Sequence, residues 1–182
     1  AEELYKNENY DTIAFESIEN VMEGCHRIGH FEGVARVVKL FLDLIKPNYA
    51  FFGEKDFQQL LIIKALIKKL GIKTEIIACK TVRENDGLAM SSRNARLSKH
   101  HRSLAPNIYR VLGMCMQKAK TMDFNDLENT CLKELSKFSN PEYFEIRNAN
   151  DLSKSGGKNT KWRAVVATKL GDIRLIDNIE LN

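Results

Sequence analysis

The chain has no apolar run near the ~18 residues that a membrane span needs, and its start, Ala1-Glu2-Glu3, is not that of a signal peptide. A cytoplasmic protein without membrane segments is the expectation. Metal-ligand patterns are also missing. Cys25, Cys79, Cys115 and Cys131 stand far apart with no C-x-x-C pair, and no histidine sits at ligand spacing. Reduced thiols fit better than a disulfide frame or a zinc site, so no protein-held metal is expected. A concentrated basic stripe is lacking too. The net charge of +4 is spread along 182 residues, which suits an anionic small molecule better than a nucleic-acid groove. No internal repeat or low-complexity segment occurs. What remains is a chain 43% hydrophobic and 29% charged, enough for a core under a polar surface, in one domain or two small ones.

Hydrophobic periodicity divides the chain into halves of different character. The first ten residues are polar and are expected to fray, and Asp11-Thr12-Ile13-Ala14-Phe15 reads as a strand. Val34, Val37, Val38, Phe41, Leu42 and Ile45 recur at helical spacing until Lys46-Pro47 stops them. Tyr49-Ala50-Phe51-Phe52 reads as a buried strand, Phe57 to Leu70 as an apolar helix ended by Gly71, and Lys73 to Lys80 as another strand. This order implies parallel strands with helical crossovers, an α/β arrangement.

Beyond Glu84-Asn85-Asp86-Gly87 the pattern becomes α+β. A helical stretch from Ser98 to about Lys118 is interrupted near Pro106. A second helix is signalled by Asn125 and Glu128 at capping-box spacing, and Ser139-Asn140-Pro141 ends it. Tyr143 to Arg147 reads as a short strand and Ser153 to Thr160 as a polar loop. Trp162 to Leu170 and Ile173 to Ile179 form a hairpin around Gly171-Asp172. The expected division is 1–87 and 88–182.

Three blocks carry candidate chemistry. In Phe52-Gly53-Glu54-Lys55-Asp56-Phe57-Gln58-Gln59, a glycine and a lysine sit where a strand turns into a helix. The helix start offers unpaired N–H groups and the lysine a point charge, which together suit phosphate. A well-capped helix, with Asp56 as N-cap and Gln59 as its partner, would give the same pattern. In Asp86-Gly87-Leu88-Ala89-Met90-Ser91-Ser92-Arg93-Asn94, two hydroxyls and an arginine follow a glycine turn, as a phosphate clamp or as a plain linker capping the next helix. In Arg27-Ile28-Gly29-His30-Phe31-Glu32-Gly33-Val34, a histidine near a helix start either orients an anion or caps the helix and packs on an aromatic ring.

The three blocks together, in this order, resemble the pantothenate synthetase (pantoate–β-alanine ligase) family, from about Thr12 to the closing Leu170-Gly171-Asp172-Ile173-Arg174-Leu175-Ile176-Asp177-Asn178. The resemblance implies a Rossmann-like nucleotidyltransferase domain, of which 1–87 is the second half, and a C-terminal α+β lid at 88–182. It implies that ATP and pantoate form a pantoyl-adenylate with release of pyrophosphate, and that β-alanine then yields pantothenate and AMP. Gly53, Glu54, Lys55 and Asp56 would line the ATP site with Lys55 facing the phosphates, and Val82 would meet adenine through its backbone. Met90, Ser91, Ser92 and Arg93 would close over the triphosphate as this family's counterpart of the KMSKS loop. Gln59 would hold pantoate, and Arg27 and His30 would lie near the cleft. Lys55, Ser91, Ser92 and Arg93 are the catalytic candidates. Mg2+ would ride on the phosphates.

One departure limits this. The family carries a His-x-Gly-His motif after its first strand, and this chain starts downstream of it. His26-Arg27-Ile28-Gly29-His30 imitates that motif, but its neighbours match the later Arg-Pro-Gly-His-Phe block, with Ile28 in place of proline. The chain therefore reads as a C-terminal fragment, inactive alone and weak in ATP binding. The resemblance implies a homodimer for the complete protein. The fragment is expected to expose an apolar strand edge and helix face and to self-associate. Another nucleotidyltransferase and a non-enzymatic binding module are the alternatives.

Overall fold

The computed structural model describes residues 15–157 and 159–181. The strand expected at Asp11 to Phe15 lies outside them except for Phe15, which is buried. The described chain packs as two compact units: one of residues up to Phe51 with Gln58–Ile77, the other of Phe52–Phe57 with the residues from Ala78 onward. These packing units fall at other places than the division at 87 and 88 expected from the sequence, because six residues around Lys55 pack with the later part of the chain.

In the first unit, a 3-10 turn at Glu16–Asn20 and the single-turn helix α1 (Glu23–His26) precede α2 (His30–Ile45). The inner face of α2 carries Phe31, Ala35 and Leu42, and its outer face carries Arg36–Glu32 and Lys39–Asp43 pairs one turn apart. The helix stops at Lys46, whose left-handed conformation precedes Pro47. Strand β1 (Tyr49–Gly53) pairs in parallel with β2 (Glu75–Cys79), and α3 (Phe57–Leu70) makes the crossover. The Glu75 N–H donates to Asn48 O at 2.9 Å and the Thr74 hydroxyl to Pro47 O at 2.7 Å, so the register is set at the strand starts. Phe15, Phe31, Ala35, Ile62 and Leu66 form the core of this unit. The strand at Tyr49 to Phe52, expected to be buried, is not: Tyr49 and Phe51 are 57% and 69% accessible, because a pair of strands leaves a face of β1 uncovered within its unit. Phe41, Leu44 and Ile45 on α2 are also open, so an apolar strand and helix face are exposed.

The second unit contains α4 (Lys99–Leu104), α5 (Asn107–Lys118) and α6 (Phe124–Ser136), then β3 (Asn140–Asn148), β4 (Trp162–Leu170) and β5 (Ile173–Glu180) in an antiparallel sheet ordered β3-β4-β5. The break near Pro106 is where α4 gives way to α5. Gly171, at φ 59°, opens the turn between β4 and β5. One face of the sheet receives α5 and α6, with Leu112, Leu127, Leu135, Ala164 and Val166 fully buried. The capping box expected at Asn125 and Glu128 is not formed. Asp123 is the N-cap and accepts from the Asn125 N–H. The Glu128 carboxylate turns inward, taking the Ile146 N–H at 2.6 Å and the Lys154 ammonium at 2.8 Å, because β3 offers it a buried donor that competes with the helix terminus.

Candidate functional site

Lys55 sits in a 3-10 turn, Glu54–Asp56, that joins the end of β1 to the start of α3. Its side chain is largely covered, with Nζ 3.9 Å from an Asp56 carboxylate oxygen. Gly53 has ordinary extended angles, and a Cβ built there would meet no protein atom within 4 Å. The chain's own packing therefore does not demand glycine here. The turn is gripped from β5: Asn178 Nδ2 donates to Glu54 O and to Lys55 O, each at 2.9 Å. Asn178 Oδ1 accepts from Arg163 Nη1 at 2.6 Å. Arg163 lies over the Phe57 ring at 4.2 Å and is within 3.7 Å of the Glu54 carboxylate and 3.4 Å of Glu180.

Residues 82–90 form a small antiparallel loop that takes the place of an open linker. Met90 N–H donates to Val82 O, Glu84 N–H to Leu88 O and Gly87 N–H to Glu84 O, at 3.0, 2.8 and 2.9 Å. Gly87 is at φ 93°, and a Cβ would come 2.8 Å from the Tyr109 ring, so glycine is required by both backbone and space. Arg83 lies 3.7 Å over the face of that ring and binds Asp177 with both ends of its fork, at 2.6 and 3.0 Å. Burial pushes the Asp177 carboxyl upward, and Arg83, the Asn178 N–H and the Lys55 charge oppose that rise. Arg102 clamps Asp86 at 2.6 Å and holds its carboxyl below the usual range.

Ser91 caps the following 3-10 turn, Ser92–Arg96, by accepting the Arg93 N–H at 3.2 Å. Its hydroxyl proton is not used in that bond. Ser92 and Met90 are exposed, and Arg93 Nη1 reaches Arg174 O at 3.4 Å. Asn94 Nδ2 braces the loop through Ala89 O and Glu84. The Lys55 turn and the Ser91–Arg93 segment both pack on β5, one anchored at Asn178 and the other at Arg174. The anchors are four steps apart along the strand, about 13 Å.

The remaining predicted residues belong to the first unit. Gln59, half-buried, lies in the first turn of α3. Its neighbour Gln58 is buried and structurally committed: its Oε1 accepts the Glu23 N–H, and its Nε2 donates to Ile18 O and Val21 O. Arg27 Nη1 donates to His30 Nε2 at 2.8 Å, which requires that nitrogen to be unprotonated, and the His30 ring packs on Phe31 at 5.2 Å. Among the described residues no group of three or more His, Cys, Asp or Glu side chains could hold a metal ion, and no helix is long and apolar enough to cross a membrane. Two surface clefts, one between α5 and α6 and one beside the β4–β5 turn, share no residue with the predicted site.

A family model described as pantoate-beta-alanine ligase matches residues 1–180. The chain belongs to the pantoate–beta-alanine ligase family. It is 45% identical to the pantothenate synthetase of Christiangramia forsetii over 193 residues, covering 100% of this chain and 66% of that protein. It is 40% identical to that of Flavobacterium psychrophilum, covering 99% and 66%. The crystal structure of pantothenate synthetase from Thermus thermophilus superposes with a TM-score of 0.90 at 35% identity, over 99% of this chain and 67% of that one. The pantoate-beta-alanine ligase of Francisella tularensis, solved with beta-gamma ATP and beta-alanine, superposes at 0.73 and 34% identity, over 98% and 61%. The chain thus spans about two thirds of the length of the relatives it matches.

Members of this family are ligases, and the parallel pair followed by a separate antiparallel sheet agrees with their solved structures. Of the predicted residues, Gly53 to Asp56, Val82 and Met90 to Arg93 lie in one packing unit, and Arg27, His30 and Gln59 in the other. Val82 O is already engaged by Met90, so a backbone contact to a ligand there falls to its N–H or a second lone pair. Sequence reasoning assigned no role to Arg83, Arg163, Asp177 or Asn178. Their one signal was the adjacent polar pair Asp177-Asn178, set inside a strand between Leu175-Ile176 and Ile179.

Proposed function

We propose that this chain carries the ATP-activating region of a pantoate–β-alanine ligase. ATP and pantoate form a pantoyl-adenylate and pyrophosphate, and β-alanine displaces AMP to give pantothenate. The observation that carries this is the Lys55 turn. Asn178 occupies the carbonyls of Glu54 and Lys55, so what the turn has left for a ligand is an ammonium and the N–H groups of a helix start. Such donors serve a reaction in which negative charge gathers on the α-phosphoryl group and the departing pyrophosphate.

In this reading Gly53, Glu54, Lys55 and Asp56 line the ATP site, and the space above Gly53 lets the nucleotide approach the backbone. Val82 meets adenine. Met90, Ser91, Ser92 and Arg93 close on the triphosphate, with the Ser91 hydroxyl proton available to a phosphate oxygen. Gln59 holds pantoate, and Arg27 and His30 flank it. Magnesium travels on the phosphates with few protein ligands, which fits a site where the Glu54 carboxylate faces Arg163.

The 182 residues alone bind ATP weakly and do not turn over, since a nucleotide must be desolvated by both walls of a cleft. They self-associate through the exposed apolar groups of α2 and β1, whereas the complete ligase is a cytoplasmic homodimer. The test is Lys55→Ala in a protein of full ligase length. Pantoate-dependent pyrophosphate release should fall at least ~100-fold with an unchanged melting temperature; release at the unaltered rate removes Lys55 from this role.

A further inference from the structure

We infer that Asn178, held by Arg163, is the positioning residue of the Lys55 turn, and that this pair sets where the Lys55 ammonium stands. A side-chain amide has two N–H donors and one acceptor oxygen. Here both donors are spent on consecutive carbonyls, Glu54 O and Lys55 O, at 2.9 Å each. Glu54 O belongs to the peptide that precedes the Lys55 Cα and Lys55 O to the peptide that follows it, so a single amide bridging both fixes the two peptide planes that flank that Cα. Their orientation sets the direction in which the Lys55 side chain departs.

The amide itself could flip, which would set its oxygen against those two carbonyls. Arg163 forbids that. A guanidinium only donates, and its Nη1 lies 2.6 Å from Asn178 Oδ1, so the oxygen must face Arg163 and the NH2 must face the turn. The main chain of Asn178 is fixed independently: its N–H donates to Asp177 Oδ1 at 2.8 Å, and Asp177 is clasped by Arg83. Arg83 also reaches Asn178 O at 3.4 Å. Arg163 is an expensive choice for packing alone. It is buried, its Nε has no hydrogen-bond partner, and an apolar side chain over Phe57 would avoid that cost. Its burial is explained if its task is to orient the amide.

The test uses two readouts, and only the second rests on the ligase reading. In the 182-residue chain, reductive methylation of lysines with 13C-formaldehyde gives one NMR signal per dimethylamine, and Lys55→Arg assigns that of residue 55. Asn178→Asp keeps the shape but turns two donors into acceptors facing two carbonyls. It should displace the Lys55 signal while leaving those of Lys118, Lys133 and Lys137 in place. Arg163→Met, which frees the amide to flip, should displace it in the same direction, and Arg163→Lys, which restores a donor, should return it towards the wild-type position.

In a protein of full ligase length, Asn178→Asp should raise the KM for ATP about tenfold with the KM for pantoate unaltered. A residue that only stabilised the fold would lower the active fraction and leave both KM values as they were. If Asn178→Asp does not fold, the Arg163→Met and Arg163→Lys pair decides by the same signals. An unmoved Lys55 signal, or an unmoved KM for ATP in an enzyme that uses ATP, overturns the inference. A moved signal in a protein that does not use ATP upholds the positioning and sinks the ligase reading instead.

Discussion

The two packing units answer the same physical demand in different ways. In the later one, two helices cover one face of a three-stranded sheet, and its central side chains, Leu112, Leu127, Leu135 and Val166, are sealed by neighbours from the same unit. In the earlier one, β1 and β2 are only two strands, and β1 keeps Tyr49 and Phe51 open to solvent while α2 keeps Phe41, Leu44 and Ile45 open. Parallel strands are ordinarily covered on both faces. The lid sheet therefore generates its own burial, and the β1–β2 pair does not. The six residues around Lys55 draw their support from the self-sufficient unit, although the chain enters and leaves them through the other. A turn that is to present a ligand-binding group, as proposed for Lys55, is best held by the part of the molecule that is rigid without help.

The largest test of this contrast compares equal truncations. Phe144→Ala, in the sealed core, should cost about 3–5 kcal/mol in urea unfolding. Phe51→Ala, at 69% accessibility, should change the midpoint little in this chain. A similar loss at both positions would break the comparison. Next in size is Asp177→Asn, which leaves Arg83 facing a neutral amide. About 3 kcal/mol should be lost, the low end for breaking a buried pair because the amide still accepts a bond. Native-state hydrogen exchange sharpens the contrast further: amides of α2 and β2 should open at lower free energy than those of β4.

The smallest effect is pH-dependent. Arg102 holds Asp86 below the usual aspartate value of 3.8, so the pair's contribution is fully present above that value and is lost as pH falls through the depressed one. Arg102→Ala should lower stability by less than ~1 kcal/mol at neutral pH, as for exposed pairs. The difference from the wild-type melting temperature should narrow as pH falls below 3.8.

Much of the fold was legible from local pattern. The apolar spacing of α2, α3 and α5, the stop at Lys46-Pro47, the break at Pro106 and the Gly171 turn are decided by residues within a few positions of one another, and they stand where the sequence places them. The capping box at Glu128 was misread because that carboxylate finds a donor on β3, 18 residues away, which no local rule weighs. Asp86 to Asn94 was read as a phosphate clamp or as a plain linker. In the structure its first residues belong to a closed loop, 82–90, tied to Asp177 through Arg83 and wedged against Tyr109. The candidate residues around Lys55 and Ser91 were found through their motif, but how they are held was not.

The sequence by itself determined the order of elements, the family and the ammonium-bearing turn, since propensity, periodicity and motif act over short spans of chain. Only the tertiary structure decided that Asn178 grips that turn from more than 120 residues away, that Arg163 orients it, and that Arg83 and Asp177 share charge. Hydrogen bonds between distant side chains depend on the packing of a sheet against a turn, and an arginine or an asparagine in a linear chain carries no mark of the partner it will meet.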